Sequence, residues 1–253
     1  MTVLHLADEG EAADLAAFLS RLLHYDRSAA VRLQAAGTAL AVFGRPPSFE
    51  VLAIRAARLA KPYENGLDDT LDVTVSAGEL LESVDERAAT AGVPGAVTGP
   101  PWAGVLPPRG GWRTEAGLPA PDALRALVAA AVAEFRTRTE ELAPEDRTRA
   151  ELDRVGREIW SRTVGETGLP VRAVHAAQSL GFLRTRAASG PDQGSGPDQG
   201  SGSGQSSGPG QGVGSDEGAP KLLSSGAWLR LRTPFGSVAL RRAGTGALGI
   251  SVR

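Results

Sequence analysis

Gly244-Thr245-Gly246-Ala247-Leu248-Gly249 has the G-x-G-x-x-G spacing that lets a backbone turn approach a pyrophosphate, which the N-terminus of a following helix then holds. Only Ile250, Ser251, Val252 and Arg253 follow it, too few for that helix, so these glycines are expected to serve as turns between strands. Asp68-Asp69-Thr70-Leu71-Asp72 carries carboxylates at a spacing that, on a helix, would aim them at a magnesium-bound diphosphate. Asp72, however, enters an alternating strand pattern, and Glu64-Asn65-Gly66 upstream reads as a turn. A solvated acidic turn is expected, with Glu64, Asp68 and Asp69 forming at most a weak surface cation site. His5, His24 and His175 lack the H-x-x-x-H or E-x-x-H spacing of metal ligands, and no G-x-S-x-G accompanies them. The absence of cysteine removes thiol catalysis, disulfides and Cys-based metal sites. No catalytic, cofactor-binding or metal-binding residue is therefore assigned.

Two sets of residues stand out as candidate surfaces. In the run 94–121, Trp102, Arg109, Trp112 and Arg113 place aromatics and arginines on a stiff Pro-rich backbone, the residue types that concentrate binding energy at protein interfaces. The competing expectation is that both tryptophans lie on a sheet and close the core. The second set would meet nucleic acid. A helix near 170–180 presents Arg172, His175 and Gln178 on one face of a helix-turn-helix-like segment, 144–180. Arg184, Arg186, Arg230, Arg232, Arg241 and Arg242 would then meet phosphates, the last four from a basic C-terminal hairpin. Charge argues against it: a pI near 6.0 lies far from the basic footprint of a nucleic-acid binder. A third possibility is a ligand pocket beneath the 94–121 loop, with Arg109 or Arg113 holding an anionic group. The expected function is a non-enzymatic binding or regulatory protein acting on a protein partner. A DNA-binding regulator and a small-molecule binder or enzyme are the alternatives, and no cofactor is expected.

The elements that must position these residues are set by composition first. A chain of 253 residues, 42% apolar, has material for one substantial core. The N-terminus is acidic without a basic region or signal-length apolar run, and no stretch reaches the length of a membrane span, so a cytoplasmic protein with no membrane partner is expected. Arginine outnumbers lysine 25 to 2 beside abundant Ala, which fits the coding bias of a GC-rich bacterial genome and makes single arginines weak evidence. Charge is unevenly spread. Residues 1–187 hold 21 basic and 25 acidic side chains, whereas the stretch from Pro220 holds Lys221, Arg230, Arg232, Arg241, Arg242 and Arg253 with no acid.

Capping boxes at Asp8/Glu11 and Ser76/Glu79 predict helices from about 8 to 24 and after 76. Alternation predicts a hairpin through Val31, Leu33, Leu40 and Val42 and a half-exposed strand at Leu71, Val73 and Val75. Val51-Leu52-Ala53-Ile54, apolar on both faces, reads as a central strand. Seven Pro and six Gly over 94–121 predict an extended loop with no regular element. Helices follow at about 122–142, from Pro144, and from Pro170 to a left-handed cap at Gly181. Residues 188–219, with GPDQGS in tandem, have the composition of a disordered linker, and the strands expected beyond it, through Leu229 and Leu231, through Val238 and Leu240, and through Leu248, Ile250 and Val252, need a surface to cover their apolar face. The expected fold is α+β. It comprises a body over 1–187 (sheet about 29–75, helical block about 122–184), a linker at 188–219, and C-terminal strands at 220–253 that rejoin the body.

Overall fold

The computed structural model describes residues 2–62, 71–102, 104–184 and 219–242. The glycine run 244–249, the strand expected through Leu248, Ile250 and Val252, the acidic residues Glu64, Asp68 and Asp69, Arg186 and the tandem repeat lie outside them. Helices and antiparallel strands build an α+β molecule whose chain order is β1 (Val3–His5), α1 (Glu9–Tyr25), β2 (Ala30–Ala36), β3 (Ala39–Gly44), β4 (Leu52–Arg58), β5 (Leu71–Ser76), α2 (Ala77–Glu82), β6 (Val84–Asp85), β7 (Thr90–Gly92), β8 (Arg113–Glu115), α3 (Pro121–Glu140), α4 (Arg149–Trp160), α5 (Val171–Ser179), β9 (Lys221–Ser225), β10 (Trp228–Thr233) and β11 (Gly236–Arg241).

Eight strands form one antiparallel sheet in the order β5-β2-β3-β4-β11-β10-β9-β8, and β1, β7 and β6 form a small second one. The C-terminal meander β9-β10-β11 joins the N-terminal meander β2-β3-β4 through the β4/β11 pair, with Ser237 opposite Ile54 and Ala239 opposite Leu52. Two three-stranded units thus meet about a local dyad at the sheet's centre. Period-2 alternation gives the sheet two faces. One, carrying Val31, Leu33, Leu40, Val42, Ala53, Leu229, Leu231, Val238 and Leu240, packs into the main core with α1, α3, α4 and α5. The other carries Phe43, Leu52, Ile54 and Ala239 and is roofed by Trp102, Val105 and Leu106 of the Pro-rich loop.

Arg55 locks the seam from within. It is 4% exposed, pairs with Glu11 at 2.7 Å and Asp14 at 3.3 Å on α1, and donates to the Phe235 carbonyl at 3.0 Å in the β10–β11 turn. Its charge is tolerable at that depth because two carboxylates and a carbonyl receive it. Arg184 adds a second tie, pairing with Asp14 and lying 3.9 Å over the Phe235 ring.

Both predicted N-caps form: Asp8 accepts from the Glu11 amide at 2.8 Å and Ser76 from the Glu79 amide at 3.4 Å. Gly181, at φ +76°, ends α5 as expected, and the Phe182 amide donates to the Ala177 carbonyl at 2.7 Å. Two expectations need correction. Pro144 opens a short 3-10 turn, Pro144–Asp146, and α4 begins only at Arg149, because Thr148 supplies the side-chain cap, accepting from the Glu151 amide at 3.3 Å. The 94–121 run does contain a regular element, β8. Residues 112–116 are free of Pro and Gly, and the edge of β9 offers them a ladder, with Arg113 opposite Ser224 and Glu115 opposite Leu222.

Candidate functional site

The Pro-rich loop is a strap that crosses the face opposite the helices. It leaves the β5 edge where the Val97 amide donates to the Thr74 carbonyl at 2.9 Å, and ends as β8 on the far edge. Pro and Gly keep it extended, and it is pinned to the sheet as it goes. Trp102 is 5% exposed over Phe43, Leu52, Ile54 and Ala239. The Gly104 carbonyl accepts from Arg241 at 2.8 Å, and the Gly110 carbonyl from Ser225 Oγ at 3.2 Å. Beneath Trp102, Val105 and Leu106 the strap thus rests on apolar side chains of the sheet.

The two tryptophans of the first candidate surface part company. Trp102 is core. Trp112 is half-buried, its indole N–H donating to the Pro108 carbonyl at 3.0 Å, with one ring face under the Arg230 guanidinium at 5.8 Å. Arg109 and Arg113 are exposed, as that reading requires.

The second candidate set is split differently. On α5, Gln178 is exposed, but Arg172 and His175 are half-buried. His175 stacks on Trp160 of α4 at 4.6 Å between centroids and meets the edge of Phe49 at 5.1 Å; burial pushes its imidazole below the ordinary value. Arg172 Nε lies 3.7 Å from Glu50. The connection between α4 and α5 runs over residues 161–170, longer than a helix-turn-helix turn, and it buries Val164 and Leu169. Arg184 is engaged by Asp14, and Arg242 by Glu115 at 2.9 Å. The face proposed to read bases is therefore largely committed to packing.

What remains is a group that neither list joined. Strand alternation sends Trp228, Arg230 and Arg232 of β10 and Arg241 of β11 to the strap face, beside Trp112. Arg230 is half-buried and donates to Ser237 Oγ at 2.9 Å; Arg241 lies 5.3 Å over the Trp228 ring; Arg232 is exposed. Among the described residues, none of Arg113, Arg230, Arg232 and Arg241 forms an ion pair with a carboxylate. Burial and, behind it, the positive charge of Arg232 push the Arg230 guanidinium below its ordinary value. The other end of the same face shows the contrast: Arg32 grips Asp72 with two bonds of 2.7 and 2.9 Å, and that pairing holds the Asp72 carboxyl below its usual range. The sequence signal for the pairing of Trp112 with β10 was slight, because it depends on β8 and β9, which periodicity did not reveal.

Beside β8 a polar cleft of about 440 Å³ opens, lined by Gly111, Arg113, Glu115, Ser224 and Arg242 among others. A hydrogen bond from Ser224 and, behind it, the bond to Arg242 lower the Glu115 carboxyl, which leaves Arg113 as the cation facing outward. Among the described residues there is no cluster of three or more metal-ligating side chains, and no helix is long and apolar enough to cross a membrane.

No curated protein and no solved structure matches the chain. Residues 1–104 match the domain of unknown function DUF8010, and the boundary to the next match falls in the strap although sheet and core run on across it. Residues 107–245, which include α3 to α5, β8 to β11 and the cationic face, match the domain of unknown function DUF8185 over more than half of the sequence, and the chain belongs to that family.

Proposed function

We propose that the chain is a cytoplasmic, non-enzymatic binding or regulatory protein that engages a protein partner through the strap face of β10 and β11 with Trp112 and Arg113 at its rim. The observation that carries this reading is the group of strap-face arginines, Arg230, Arg232 and Arg241, that lack carboxylate partners among the described residues while lying on the same face as the half-buried Trp112 and Trp228. Arginine and tryptophan are the residue types that anchor interfaces, and uncompensated positive charge on a sheet face is relieved by an acidic partner. The test is capture of partners from the native cytoplasm, identification of the retained protein, and repetition of the binding with both components purified. Charge reversal of both Arg230 and Arg232 to Glu should weaken the purified complex by about a hundredfold, or about 2.7 kcal/mol, while the variant stays folded at the assay temperature. Equal binding by the variant would contradict the proposal.

The second reading, a DNA-binding regulator, retains one supporting observation. Exposed cations interleaved with aromatics on a sheet also suit single-stranded nucleic acid. Salt-dependent retention of an oligonucleotide that is lost in the same double variant would favour it. No retention at low salt would end it.

A further inference from the structure

The two ends of the eight-stranded sheet are finished differently. At β5 the chain covers its own edge: the Val97 amide donates to the Thr74 carbonyl at 2.9 Å, and Ala96 bridges Val75. At β8 no described residue does the equivalent. Among the described residues β8 pairs only with β9, and Arg113 and Thr114 are exposed. About the β4/β11 dyad β8 is the counterpart of β5, so among the described residues one edge is capped and its partner is open. An open edge is a row of backbone donors and acceptors ready for another strand, which proteins usually blunt or cover.

Resting on the surface reading above, we propose that the outer edge of β8 is a strand-addition site for an extended segment of a partner protein that carries acidic residues at alternate positions. A strand added beyond β8 points successive side chains to opposite faces. On the side of the cleft those side chains meet Arg113, with Arg242 next to it bridging to Glu115; on the strap side they meet Thr114 and, one strand in, Leu223. The cleft of about 440 Å³ gives the first set room, and the exposed Arg113 guanidinium gives it a charge to answer. Alternating acidic and apolar side chains satisfy both faces. A uniformly acidic or basic segment would not.

The test uses the full-length protein and a labelled synthetic peptide in which Glu and Val alternate, with binding followed by fluorescence polarisation and by backbone amide shifts. Binding is expected to shift the amides of 113–115, and Arg113→Glu is expected to weaken it about tenfold while the melting temperature holds. Two further peptides, N-methylated on the Glu or on the Val residues, need no change in the protein. Since only alternate amides of an edge strand face its neighbour, one of the two should lose binding and the other keep it. Failure of the Glu-Val peptide to bind, equal loss or retention by both methylated peptides, or preference of the 113–115 edge for an oligonucleotide would each overturn the proposal. If the peptide fails while the Arg230→Glu, Arg232→Glu variant still loses its captured partner, only the edge assignment falls; if that variant also binds normally, the surface reading falls with it.

Discussion

Trp102 and Trp112 belong to one loop but answer to different physics. Trp102 is buried over four sheet residues, so Trp102→Ala should destabilise the protein by about 3 to 5 kcal/mol in urea unfolding. Trp112 keeps one side in solvent and one face against Arg230, and Trp112→Ala should lower stability by about 1 kcal/mol or less while weakening partner binding. Equal unfolding costs would show that both are core. His175 carries the pH dependence at this scale. Burial holds its folded-state imidazole below the ordinary 6.5, so as pH falls through that value the unfolded chain takes up a proton that the folded chain refuses, and stability drops. The stability is fully present above about 6.5 and is lost toward the lower folded value. Thermal melts at descending pH should show this loss in the wild type and a smaller one in His175→Phe; parallel curves would show that His175 does not carry it.

At the level of elements, α3 and α4 are joined on their outer side by two arginine forks, Arg138 to Glu158 at 2.8 and 2.8 Å and Arg162 to Glu134 at 2.6 and 2.7 Å. The Arg138 bonds bring the Glu158 carboxyl down to about 2. A carboxylate lowered in the fold stabilises it above its unfolded value and ceases to as pH falls through the folded one, so the fork should survive mild acid. Glu158→Gln should lower the melting temperature slightly at low salt and by less at high salt, because the pair lies in solvent; a salt-independent loss would point to packing instead. How far these elements were legible follows from how local their signals are. Asp8, Ser76 and Gly181 act on amides a few residues away, so α1, α2 and the end of α5 could be read from spacing. The central placement of β4 could be read from residues 51–54, apolar on both faces. Nothing local marked β1, β6, β7 and β8, which have two or three residues each and exist because a neighbouring edge pairs with them. Lys221-Leu222-Leu223-Ser224-Ser225 lacks clean alternation, so β9 was missed, and with it the site's edge. The candidate surface was legible in residue type, as arginine and tryptophan, but not in grouping, which long-range register decides.

On the scale of the whole molecule, the matched families divide the chain in the strap, yet the physics does not divide there. The β4/β11 ladder, the Arg55 bond to the Phe235 carbonyl, and the stacking of Phe18 of α1 on Phe182 at 5.7 Å all cross the boundary. Leu222, Leu229, Leu231, Val238 and Leu240, contributed by the last strands, are each at most 4% exposed within the shared core. At about 1.5 to 3 kcal/mol for each such side chain, their loss would match the whole stability of an ordinary domain. The cationic face depends on the same docking, since β10 and β11 supply most of its arginines. The most direct measurement is calorimetric unfolding of the full chain beside a chain ended at Pro220. One cooperative transition is predicted for the full chain, and none near that temperature for the shortened one; a shortened chain that melts at the same temperature with the same enthalpy per residue would contradict the account.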